Sequence, residues 1–389
     1  MNGMLMLREQ RRSANSEPVS KSKKTRRTIW KSGILFLALV VLTFYVIFKG
    51  SSPKELWSIV TSSKIQFVVC GLLCVVFYLG ADAMNLRRIL KSLGYHSTWG
   101  QAWKYAATGF FFSGITPSST GGQPMQIFYM FYDDVHISHS SVTLMLDLIS
   151  YELVTITFAV IGIFAQHTII FQSAAGMRTL IIAGMAVNIL LLLFLVAALF
   201  APVISEKLVM GVVKHLTGFK WAKRFDIENR ARQQLAEYNQ TGKVIGDDIS
   251  LIVKVILTTV VQVTALYGTT FFAFKALSIE GYTFITVIML QAVVSVGMSF
   301  IPLPGSVGAN EAGFLFVFGV IVPSALLHPA LILSRGISFY LMIGTAGLVI
   351  AYNYFRGNLM PKKDDRKGFY EKQNAAAAAE RSGEQSEEQ

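Results

Sequence analysis

Cysteine, acid and charge of any kind are scarce in these 389 residues. The two cysteines, Cys70 and Cys74, stand one helical turn apart in an apolar run. That excludes a cysteine zinc cluster or a disulfide framework, and both read as packing residues. Charged residues make up 15% of the chain against 53% hydrophobic, and the mean hydropathy is +0.50. A soluble protein of this length cannot be so apolar, so the chain is integral to a membrane. Acids number 23 against 35 lysines and arginines, for a formal net charge of +12. The basic residues sit mostly in flanks between apolar runs, where they set topology rather than bind nucleic acid. Nucleotide motifs are also missing. Gly305 to Gly313 is glycine-rich but has no preceding strand and no Gly-Lys-Ser/Thr, and neither a nucleophile elbow nor His-Glu-x-x-His occurs. No catalytic residue, metal or cofactor is expected.

What is abundant is long apolar sequence. Residues 30–48, 65–84, 143–163, 178–200, 249–274 and 330–354 are each long enough to cross about 30 Å of hydrocarbon. Residues 1–29 form a basic arm without hydrophobic periodicity, expected to be disordered and cytoplasmic. No small-x-small cleavage site follows residue 48, so the first run is read as an uncleaved helix. Residues 203–248 are mixed in charge and should be cytoplasmic, partly helical and laid along the leaflet. Residues 356–389 are basic, then low-complexity, and place the C-terminus in the cytoplasm as a disordered tail. The transmembrane domain is thus residues 30–355.

Two further apolar stretches are broken. The first reads Thr116-Pro117-Ser118-Ser119-Thr120-Gly121-Gly122-Gln123-Pro124, and the second Pro302-Leu303-Pro304-Gly305-Ser306-Val307-Gly308-Ala309-Asn310-Glu311. Proline removes a backbone donor and clashes with the preceding turn, and glycine admits conformations closed to other residues. The helix arriving at Pro302 should therefore end there, and another should start near Ala309 or Asn310. A break at membrane depth leaves peptide groups unpaired unless protein or a watery cavity covers them. The breaks share Pro-x-Ser-x-Gly with an amide two residues later. The positive-inside pattern makes the first open from the cytoplasm and the second from outside. The expectation is an all-α polytopic protein of about six full spans plus two broken or re-entrant helix pairs arranged as an inverted repeat.

Glu311 is the one charge between Gly281 and Arg335. A carboxylate at membrane depth costs at least ~2.5 kcal/mol and needs a partner or water, and Arg335 is the obvious partner. Together, near a helix N-terminus, they could hold a headgroup, with Arg335 binding phosphate; the alternative is a structural ion pair pinning the last helix to the break. In the helix after the first break, Asp147 shares a face with Ser150 and Tyr151, whereas Glu152 points elsewhere. Either could contact the cavity. Asp133, Asp134, His136 and His139 are metal ligands by type but lie in a connection where solvated charge is ordinary.

The string Pro302 to Ala312, with its Pro-x-Pro-Gly-x-x-Gly-x-x-Glu pattern and Arg335 downstream, resembles the lysylphosphatidylglycerol synthase transmembrane, or flippase-like, family. Residues 115–124 look like that family's other signature, although Gln123-Pro124-Met125-Gln126 stands where many members carry an acid followed by an arginine. The resemblance covers roughly residues 30–355. It implies a bacterial-type cell membrane protein that moves a phospholipid or lipid-linked headgroup, of lysylphosphatidylglycerol type, between leaflets and contributes to cationic peptide resistance. The alternative it implies is lysyl transfer from lysyl-tRNA to phosphatidylglycerol, alone or with a separate synthase as partner. No soluble transferase domain is legible after Tyr354. The expected substrate-binding residues are Pro117, Ser119, Gly121, Gly122, Gln123, Asp147 and Glu152 on one side, and Pro304, Gly305, Ser306, Gly308, Asn310, Glu311 and Arg335 on the other. The expected partner is a membrane lipid, with no nucleic acid bound by this chain alone.

Overall fold

The structure, a computed structural model, describes Ser58 and residues 61–172, 175–216 and 227–355, all within a compact unit of residues 54–389. The expected first span at 30–48, the basic arm and the tail lie outside the described residues. Within them the chain is wholly helical. Five helices are long and apolar enough to cross a membrane, corresponding to the other five expected spans.

The order runs α1 (Ile65–Ser92), α2 (Trp99–Ile115), a 3-10 turn at Pro117–Ser119, α3 (Gly122–Tyr132) and α4 (Ile137–Ala165). A short α5 (His167–Gln172), α6 (Ala175–Phe200), α7 (Pro202–Leu216) and α8 (Ile227–Asp247) follow. The last part is α9 (Ile249–Ala276), α10 (Phe284–Met298), a 3-10 turn at Pro304–Ser306, α11 (Ala309–Phe318), α12 (Ser324–Arg335), a π-helical turn at Gly336–Leu341 and α13 (Met342–Phe355). A long helix, a broken pair and another long helix therefore occur twice: α1, α2 with α3, α4; then α9, α10 with α11, α12 to α13. Single halves such as the 15-residue α10 reach only about 22 Å at 1.5 Å per residue, short of the hydrocarbon thickness.

α10 is largely apolar, and beyond its first turn most of it is buried. Val287, Leu290, Ala292 and Val293 are fully enclosed, in a core shared with Ala159 of α4, Val263 of α9 and Phe314 and Phe318 of α11. In lipid, helices associate through close packing and polar contacts rather than by the hydrophobic effect. Gly184 of α6 lies against the backbone of Gly297, and there Asn188 donates to the Val296 carbonyl at 3.1 Å and to Ser299 Oγ at 2.9 Å. α1 and α9 meet along a polar seam. Asn85 donates to Thr259 Oγ1 (3.0 Å), Arg88 to Thr258 Oγ1 (2.7 Å), and Gln262 to Asp82 Oδ1 (3.2 Å).

The segment expected to lie along the leaflet is helical, but α8 docks on protein. Tyr238 donates to the Ala198 carbonyl, and Glu237 Oε1 sits 3.2 Å from His136 Nδ1 and 3.5 Å from His139 Nε2. Asp133, His136 and His139 are thus not simply solvated, whereas Asp134 is exposed as expected. Asp133 takes Lys104 Nζ at 2.6 Å and the Tyr105 hydroxyl at 2.5 Å, because Lys104 is 5% exposed and a buried ammonium must be paired. No group of metal-ligating side chains occurs among the described residues. His136 hydrogen-bonding its carboxylate holds Glu237 below the usual carboxylate range. A value lowered on folding stabilises above the unfolded carboxylate range, and that stabilisation is lost as pH falls through the lowered value. Hydrogen exchange of the α8 amides, corrected for intrinsic rates, should therefore show protection falling in acid, and Glu237→Gln should remove the pH dependence. An unchanged profile in the variant would show that Glu237 does not hold α8.

Candidate functional site

The two breaks have the same backbone over four residues. Thr116 and Leu303 are extended (φ −106, ψ 146 and φ −105, ψ 145). A proline follows in each, then Ser118 (φ 52, ψ 27) and Gly305 (φ 56, ψ 18), then Ser119 (φ 53) and Ser306 (φ 50). Two successive left-handed residues are costly for L-amino acids, about 1–3 kcal/mol for each non-glycine one, and persist only where surroundings enforce them. The paths then separate: Thr120 is helical (ψ −14), while Val307 is extended (ψ 137).

The freed peptide groups are satisfied differently. At the first break hydroxyls serve. Thr116 Oγ1 donates to the Phe112 carbonyl at 2.6 Å and accepts from the Gly121 amide at 2.9 Å, and Ser113 donates to the Ser119 carbonyl at 3.3 Å. Gly121 and Gly122 lie flat on α2, where a side chain would meet Thr116, Ser113 and the Gly109 carbonyl. At the second break an ion pair serves. Glu311 Oε2 accepts the Gly308 amide at 2.5 Å, capping α11, while its Oε1 takes Arg335 Nε at 2.7 Å and the Tyr340 hydroxyl at 3.3 Å. Arg335 also donates to the Gly305 carbonyl at 3.4 Å and lies over the Phe339 ring at 4.5 Å. In an α-helix, residues five apart point to different sides. The π turn brings Arg335 and Tyr340 to the same carboxylate oxygen.

A cavity of about 360 Å³ lies where the breaks meet. Ser119 and Gln123 line it from the first break, and Gly305, Ser306 and Asn310 from the second, with Arg335 beside them. Asp147 and Glu152 of α4 both line it as well. The expectation that Glu152 points elsewhere is corrected, because the cavity is wide enough to meet α4 across the angle that five residues subtend. Pro117, Gly121, Gly122, Pro304, Gly308 and Glu311 stand behind the lining and shape the turns. Arg335 reaches the cavity with its charge already committed to Glu311, which argues against its serving as a free phosphate clamp.

The structure adds residues that the sequence did not single out. Asp82 and Tyr78 of α1, Gln262 and Tyr267 of α9, and Gln291 of α10 also line the cavity. Asp82 carries a signal that could have found it, a carboxylate within the apolar run 65–84, although Arg87 and Arg88 follow shortly after. α1 continues to Ser92, leaving Asp82 inside the span. Gln262 is 2% exposed, and its Oε1 has no hydrogen-bond partner among the described residues, as is true of Asn310 Oδ1 and Asp147 Oδ1. The cavity, partly open, sets acidic groups and hydrogen-bond acceptors among apolar side chains of the spanning helices.

Comparison with known proteins agrees with this architecture. A UPF0104 membrane protein of Archaeoglobus fulgidus is 22% identical over 319 residues, covering 81% of this chain and 95% of that protein. Residues 32–346 match the lysylphosphatidylglycerol synthase TM region, a stretch that includes both breaks, α4 and the Glu311–Arg335 pair, and the chain belongs to that family.

Proposed function

We propose that this protein moves the headgroup of a phospholipid or lipid-linked molecule, of lysylphosphatidylglycerol type, between the leaflets of a cell membrane. The observation that carries the reading is the cavity bounded by two non-helical turns. Broken backbone at membrane depth is tolerated where it lines a polar space, and here it does so from both sides. A headgroup is polar and its chains are not, so such a space lowers the barrier to passage while the tails stay in lipid. Both termini are assigned to the cytoplasm by the basic flanks, and a separately encoded synthase is the natural source of an aminoacylated lipid.

The test uses vesicles carrying acyl-chain-labelled lysylphosphatidylglycerol, with leaflet exchange read by quenching of the outer label. In a Cys70→Ala, Cys74→Ala background, Asn310→Cys should support exchange until the cavity thiol is alkylated with a bulky maleimide, and then slow at least about tenfold, as for an effect exceeding 1.4 kcal/mol. Because the block follows folding, misfolding cannot explain it. Exchange unaffected by complete alkylation would refute passage through this cavity.

A further inference from the structure

We propose that Asp82 and Asp147 form a proton site that couples headgroup movement to a proton gradient, one proton passing in exchange for each headgroup. This rests on the translocation reading above and adds its driving force. The two carboxyl groups come from different helices, α1 and α4, and lie within hydrogen-bond reach of each other. Two carboxylates in contact cannot both be ionised without a cation between them, and the simplest arrangement shares one proton and carries a single negative charge.

The surroundings favour a proton over a fixed counter-charge. Tyr78 on α1 and Tyr151 on α4 border the pair and are in contact with each other. Glu152, also on α4, and Tyr267 on α9 line the same cavity. The cation of the lining, Arg335, is held by Glu311. Arg88 is directed to Thr258 and the Lys254 carbonyl, and on the α2 side Lys104 is taken by Asp133. Among the described residues, Arg335 is the one basic residue in the cavity lining, and its charge is already met by Glu311.

A second, independent feature points to a ligand that donates. Gln262 gives its amide to Asp82, and its buried Oε1 accepts from no described residue. Asp147 Oδ1 is in the same position. A hydroxyl or ammonium of an entering headgroup would find these oxygens and compete with the shared proton for them. The proton leaves as the headgroup binds and returns as it departs, so charge and protons balance over a cycle.

Two measurements test this. The first is infrared titration of the protein in lipid nanodiscs. It should show a protonated-carboxyl band that shifts in Asp82→Asn and in Asp147→Asn and is lost in the double variant; a band unchanged in the double variant overturns the site. The second is the vesicle assay with labelled lysylphosphatidylglycerol under an imposed pH gradient. At about one pH unit the leaflet ratio should move about tenfold in the wild type and not at all in the double variant. Wild-type exchange that ignores the gradient overturns the coupling and leaves translocation standing. Absence of wild-type exchange overturns both, even if the band is present.

Discussion

Glu311→Ala is expected to destabilise the folded protein by about 3–5 kcal/mol, the usual cost of removing one member of a buried ion pair. Glu311 is mostly buried and holds three donors from three parts of the chain: the Gly308 amide, Arg335 and the Tyr340 hydroxyl. Its loss uncaps α11, leaves a guanidinium uncompensated at membrane depth, and frees the π turn that the pair organises. Glu311→Ala combined with Arg335→Met should recover a large part of the loss, since replacing both charges avoids the stranded cation. Thermal unfolding in detergent reads both. Equal loss in the single and double variants would mean that the pair does not act as a unit. If the pair serves only to brace the turn, the double variant should also regain leaflet exchange. A stable double variant without exchange would assign Arg335 a direct part in the cavity.

Gly305→Val is expected to be comparably damaging. Gly305 has φ 56, where a β-branched residue is strained by about 1–3 kcal/mol. A Cβ there would also overlap the Phe339 ring and the Gly114 carbonyl of α2, adding an overpacking cost of about 1–3 kcal/mol. Because the obstruction lies between the two breaks, it should push them apart as well as strain one turn. Phe339→Ala in the Gly305→Ala background should relieve the ring overlap but neither the backbone strain nor the contact with Gly114, so rescue should be partial. Full rescue would show that the ring alone requires the glycine, and that the left-handed turn is dispensable.

Much of this was legible in the residue order, and the reasons differ by element. Five apolar runs of spanning length became five spanning helices, because hydrophobic length against a fixed bilayer thickness leaves little choice. The non-helical turns fell within the expected breaks, at Pro117 and Pro304, where proline and left-handed conformers exclude continuous helix, although α10 already ends at Met298, before Pro302. The Glu311–Arg335 pair was legible because an isolated charge in an apolar run needs a partner and only one stood nearby. Asp82 was not singled out, because local charge density cannot show where a helix crosses the interface. Asp133 was misjudged because its partner, Lys104, is distant in sequence. The π turn was invisible, since nothing in Gly336 to Leu341 differs in kind from an ordinary apolar helix.

Hydropathy and proline placement alone decided that this chain lies in a membrane and where its two breaks fall, because these are properties of each segment against its solvent. That the two turns face one another, that Asp82, Asp147 and Gln262 meet on a common cavity, and that Glu311 braces a turn were decided only by the packing of α1, α4, α9 and the π-helical turn. Those contacts join residues up to 180 positions apart, and their geometry depends on helix rotation and crossing, which periodicity within one segment does not encode.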